Sequence, residues 1–197
     1  MRILLLALIL LAACAPAPLS SLYQPEAGEV FLWRSEPVPI DPDWQYVGSQ
    51  KVTVRGTVWN SHLAPADEIQ TLIFVRGGQD APSILLLSRV IKTGQTEIFS
   101  VLGGSKTLVR DLPYRETRYG LASETTDPEY RRYFEVIREA GLVPAPTYGV
   151  RILDRLPLDT ALVRIMELTP AKVNADMPPF GKLYPQEKLE VLPRSFF

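Results

Sequence analysis

Hydrophobic and polar residues alternate through Lys51-Val52-Thr53-Val54-Arg55-Gly56-Thr57-Val58, which puts Val52, Val54 and Val58 on one face and Lys51, Thr53, Arg55 and Thr57 on the other. A period of two predicts a strand with one buried and one wet face, the habit of antiparallel sheets. The same reasoning places strands at 29–34, 69–76, 83–91, 97–102, 148–153, 160–168 and 188–192. Between them stand Gly77-Gly78-Gln79-Asp80-Ala81-Pro82, Lys92-Thr93-Gly94-Gln95 and Gly103-Gly104-Ser105. These carry turn chemistry and predict a meander of hairpins in which consecutive strands pair.

One segment breaks the period. Tyr130, Tyr133, Phe134, Ile137 and Gly141 recur at helical spacing, and Arg131, Glu135 and Arg138 fall on another face with Arg131 and Glu135 four apart. Asp127 is placed to cap this helix, Pro128 suits its first position, and Gly141 with Pro144 supplies the stop. The expected fold is α+β: a mostly antiparallel twisted sheet of six to eight strands with one main helix packed on it. Pro37, Pro39 and Pro42 with Asp41 and Asp43 mark an irregular connection, and 169–186 with its four prolines reads as a wrapping loop.

The opening residues have a different pattern. After Met1-Arg2 the chain is apolar from Ile3 to Ala13, eleven residues that span only about half of the ~30 Å hydrocarbon layer as a helix. A short apolar run behind one positive charge is the core of a signal peptide. The run ends Leu11-Ala12-Ala13-Cys14, which resembles the lipobox of bacterial lipoproteins. The resemblance covers the first fourteen residues. It implies cleavage before Cys14, a lipid on its sulfur and acylation of the new amino terminus. It also implies the outer membrane, facing the periplasm, because Ala15 stands where inner-membrane retention favours Asp. The expected organisation is a signal peptide at 1–13, a lipidated N-terminus and tether at 14–28, and a single globular domain at 29–197. The small, proline-bearing Ala15-Pro16-Ala17-Pro18-Leu19-Ser20-Ser21 favours extended chain for the tether.

Composition narrows the chemistry. The 197 residues carry 21 basic and 22 acidic side chains. Losing residues 1–13 removes Arg2 and leaves 20 against 22, so net charge gives no argument for a nucleic-acid partner. One cysteine and one histidine cannot build a Cys/His zinc site or an iron–sulfur cluster from this chain alone. Eighteen prolines argue against a helical bundle. No metal or cofactor is expected.

Candidate catalytic groups are sparse. His62 would need a distant serine and carboxylate to act as a base, and Gly-x-Ser-x-Gly, Ser-x-x-Lys and His-Glu-x-x-His are all missing. Glu116 with Glu124, and Asp154 with Asp159, are the carboxylate pairs that glycoside hydrolysis would require. Gly103-Gly104-Ser105-Lys106-Thr107 lacks the spacing of a phosphate loop and reads as a hairpin turn. Phe196-Phe197 resembles the terminal signal of outer-membrane β-barrels, but Lys51 to Val58 is too short for a barrel strand, the turns are too polar and a helix intervenes, and the ending reads as a core-packing or frayed tail.

Tyrosine and arginine interleave at Tyr114-Arg115-Glu116-Thr117-Arg118-Tyr119 and at Tyr130-Arg131-Arg132-Tyr133. Both residue types offer contact area with a polar tip, which singles out Tyr114, Arg118 and Arg131 as a candidate partner surface. In strand phase Tyr114, Glu116 and Arg118 share one side. The expected function is a lipid-anchored envelope lipoprotein acting as a non-enzymatic binding or assembly module on an envelope protein or cell-wall partner. The alternative is a membrane-anchored periplasmic hydrolase using His62 or a carboxylate pair.

Overall fold

The computed structural model describes residues 23–24, 28–33, 36–55, 66–92, 99 and 103–171. The strands are β1 (Tyr23–Gln24), β2 (Glu29–Trp33), β3 (Glu36–Pro39), β4 (Gln45–Arg55), β5 (Ala66–Arg76), β6 (Ser83–Lys92), β7 (Ser105–Val109), β8 (Leu112–Ala122), β9 (Thr147–Leu158) and β10 (Ala161–Pro170). The helix α1 (Pro128–Glu139) lies between β8 and β9. Strand accounts for 65% of the described residues and helix for 10%, so the molecule is largely β and the expected α+β class fits only loosely. The mostly antiparallel sheet with one helix is as expected.

Seven strands form one antiparallel sheet in the order β4-β5-β6-β10-β9-β8-β7, and β1-β2-β3 form a second, small sheet. The expected meander holds only in two halves. After β6 the chain continues to the far edge at β7 and returns strand by strand until β10 closes on β6, from Ala161 opposite Ile91 to Leu168 opposite Ile84. Composition explains the centre. Ile84 to Leu87 in β6 and most of β10 are apolar on both faces, and such strands are stable only where both faces are covered.

The two faces are covered differently. Leu72, Phe74, Leu85, Leu87, Leu153, Val163 and Ile165 meet Val30, Leu32, Ile40 and Trp44 of the small-sheet layer. On the opposite face Ile73, Val75, Ile84, Leu86, Val150, Ile152 and Met166 meet Tyr133, Phe134 and Ile137 of the helix. The alternation of neighbours such as Leu72 and Ile73 between the two cores follows from the pleat.

The helix begins and ends as expected. Asp127 accepts hydrogen bonds from the Glu129 and Tyr130 amides at 2.9 and 3.3 Å, and Pro128 opens the first turn. At the other end Gly141 adopts φ +78°. Its amide bonds the Arg138 carbonyl, and the Leu142 amide bonds the Ile137 carbonyl, a Schellman closure. Arg131 and Glu135 pair at 3.8 Å on the outer side.

The proline cluster departs from expectation. Residues expected to be an irregular connection contain β3, where Pro37 and Pro39 sit in the outer strand of the small sheet, the position at which a missing N–H is tolerated. Gly103-Gly104 leads into β7. At φ +91° and against β8, Gly104 leaves no room for a Cβ, which would collide with the Glu116 carbonyl oxygen. The expected strand at 97–102, apart from Phe99, and that at 188–192 lie outside the described residues. So do Cys14, the tether at 15–21, His62, and Phe196-Phe197.

Candidate functional site

A polar row crosses the helix-covered face. Register places Gln50 opposite Thr71, Thr71 opposite Ser88, Ser88 opposite Arg164, Arg164 opposite Asp154, and Asp154 opposite Arg115. The helix binds along this row. Gln50 donates to the Arg132 carbonyl at 2.8 Å, and the Tyr133 hydroxyl lies 3.2 Å from Thr71 Oγ1 while donating to Glu129 at 2.9 Å. A hydroxyl has one proton, so that bond commits Tyr133 and makes Thr71 its donor. Ser88, 2.8 Å from Thr71, must then donate to Thr71.

Arg164 holds Asp154 with two bonds, Nε to Oδ1 at 2.8 Å and a terminal nitrogen to Oδ2 at 3.0 Å. Burial alone would lower the arginine's pKa, but the bonds and charge of Asp154 outweigh it and raise it. Tyr119 and Tyr130 touch hydroxyl to hydroxyl beside this pair. Burial pushes the Tyr119 hydroxyl up to about 12, with the bond to Tyr130 opposing. It raises Tyr130 as well, reinforced by Tyr119, and raises Tyr133, reinforced by Glu129.

The face under the small sheet carries charges both near its rim and buried, Arg89 and Glu167 being among the buried ones. Glu116 receives Arg118 at 2.5 Å and Arg151 through two nitrogens at 3.1 and 3.3 Å. Burial would raise the carboxyl, but the two arginines hold it below the usual carboxylate range. Arg155 pairs with Glu36 of β3 and lies over the Tyr114 ring, 5.7 Å from its centroid. Toward β4, Gln70 links Glu68 to the buried Arg89, and Lys51 reaches Glu68 at 2.9 Å. A cavity of about 30 Å³ lies between the small sheet and the β7–β8 hairpin, lined by Trp33, Val38, Arg110, Leu112, Tyr114 and Arg155 among others. That admits a water or two, where sites for drug-sized ligands run to ~300 Å³ or more.

These are clusters of fixed charge. At neutral pH the shifted groups keep one state: tyrosines neutral, arginines cationic, Glu68 and Glu116 anionic. The carboxylate pairs do not converge. Asp154 faces Arg164, whereas Asp159 follows the end of β9, at ~3.3 Å per strand residue well beyond the ~5–9.5 Å such chemistry needs. Glu116 lies mid-strand in its arginine pair, and Glu124, beyond the end of β8, pairs with Arg138 at 3.0 Å. Among the described residues no three Asp, Glu, His or Cys side chains gather to hold a metal.

Tyr114, Arg118 and Arg131 are not brought together. Tyr114 is 5% exposed and packs in the small-sheet core. Arg118 lies on the same face, as strand phase predicts, but is turned onto Glu116. Arg131 is exposed on the helix, across the sheet from both. Tyr114 is therefore a packing residue and gives a partner no ring to rest on.

The principal groups missed from sequence are Arg164 and Arg151. Arg164 and Asp154 pair across the β9–β10 turn, but the signal is readable only once register is known. The fold and these clusters define a largely antiparallel two-sheet domain with internally paired charges. Comparison with protein-family models, with curated proteins and with solved structures finds no match to this chain.

Proposed function

We propose that the chain is a lipid-anchored protein of a bacterial cell envelope, cut before Cys14 and held in the outer membrane facing the periplasm by acyl chains. Its action is binding or assembly with an envelope protein or a cell-wall partner, without catalysis. The observation that carries this reading is the apolar run from Ile3 to Ala13 ending at the chain's only cysteine. Each buried methylene contributes about 0.8 kcal/mol, so two or three acyl chains hold almost permanently where one holds marginally. Support for binding over catalysis comes from the paired charges, which act as fixed electrostatic features instead of proton carriers.

Cys14→Ser is the test. In a bacterial host the natural chain should incorporate labelled palmitate and fractionate with membranes, and the variant should accumulate as an unprocessed, unlabelled precursor. Equal labelling of both chains would refute the anchor.

A further inference from the structure

We infer that the β7–β8 hairpin is a second membrane contact, a basic tip with one exposed leucine that rests on an anionic phospholipid surface while the N-terminal lipid holds the chain there. The inference rests on the anchored reading above. Leu108 is 70% exposed, the most exposed large apolar side chain among the described residues. Lys106 lies directly opposite Arg115 and Leu108 opposite Pro113, so these four share one face of the hairpin, away from Leu112 and Tyr114 in the small-sheet core. Arg110 is exposed at the apex beside the exposed acidic Asp111, so the hairpin's net positive charge comes from Lys106 and Arg115. Leucine flanked by lysine and arginine is the composition that anionic lipid headgroups attract, each basic residue near such a surface strengthening the association about fivefold.

Two further observations place this tip within reach of a bilayer. Eight residues lie between Cys14 and Tyr23 of β1, nine Cα-to-Cα steps that span at most about 30 Å. β1 is two strands from β3, roughly 10 Å, and Pro37 and Val38 of β3 line the same cavity as Val109 and Arg110. The small sheet, where the described chain begins, and the hairpin tip are thus neighbours, with Leu108 and Lys106 on the hairpin face turned away from that sheet. Arg110 and Asp111 both have positive φ, at 50° and 64°, a region that aspartate tolerates and arginine does not favour.

The experiment uses the full chain made in a lipidating bacterial host, with Leu108→Cys labelled by an environment-sensitive fluorophore. A lipid on Cys14 blocks that thiol, so the anchored chain takes up one label. In vesicles of phosphatidylglycerol and phosphatidylcholine the label should shift to the blue and be quenched by lipid-borne nitroxide. A label on Glu135→Cys, on the outer side of the helix, should stay in water. Pure phosphatidylcholine, or Lys106→Glu with Arg110→Glu, should lower the docked population about tenfold or more. One label per chain with a water-like spectrum on anionic vesicles overturns the hairpin contact and leaves the anchor standing. An equal shift on neutral vesicles overturns its electrostatic basis. Two labels per chain show a free Cys14, which removes the anchor and the hairpin contact with it.

Discussion

The two faces of the seven-stranded sheet solve the same problem with different materials. One is covered by a helix that lays Tyr133, Phe134 and Ile137 on apolar strands and bonds a polar row at two points, the Arg132 carbonyl accepting from Gln50 and the Tyr133 hydroxyl accepting from Thr71. The other is covered by a small sheet whose inner side chains are apolar, with Arg155–Glu36 and Glu116 with Arg118 and Arg151 toward the margin, and with Gln70, Arg89 and Glu167 buried on that same face. A helix offers one stripe of contact, so where it crosses polar positions the fit depends on named hydrogen bonds. A sheet offers a flat surface, and here it keeps buried charge beside a partner, Arg89 on Gln70 and Glu167 near Arg76. The helix side is the one where a single element is held in place by named hydrogen bonds.

The largest expected effect is on that side. Phe134 is 1% exposed and stacks on Tyr148, with ring centroids 5.7 Å apart. Phe134→Ala should lower stability by about 3–5 kcal/mol, read by urea denaturation, from lost burial and the cavity left behind. A loss below about 1 kcal/mol would mean that the helix is not packed on the sheet in this way.

At the small-sheet margin the effect is smaller and depends on pH. The folded Glu116 carboxyl lies below its unfolded value, so its contribution is present above the ordinary carboxylate range and lost as pH falls through the folded value. Glu116→Gln should cost about 2 kcal/mol at pH 7 and progressively less in acid below the unfolded value near 4.3. An unchanged difference between pH 7 and pH 3 would show that the arginine pairing does not set the carboxyl.

Smallest is Arg131→Ala on the outer side of the helix, where an exposed i,i+4 pair should contribute less than about 0.5 kcal/mol. A larger loss would place Arg131 in a contact other than its pair with Glu135.

Strands and helix were legible because each carries a local signal. The ends of α1 follow from Asp127, Pro128 and Gly141, and the run at Ile84 to Leu87 announces a strand. The β6–β10 pairing was not legible, because it joins residues some 75 positions apart and no local residue specifies it. The same non-locality hid the candidate site. Tyr114, Glu116 and Arg118 share a face as their phase requires, but which face lies under the small sheet depends on β2 and β3, and the prolines of β3 resemble a loop from sequence alone. Arg164 looked like one arginine among many until register put Asp154 beside it.

The proposed anchor is the lipid at Cys14. Mass spectrometry of the N-terminal peptide from the native protein should find Cys14 as the first residue, carrying acyl chains on its sulfur and amino group. An N-terminal peptide retaining residues 1–13, or an unmodified thiol at Cys14, would contradict it.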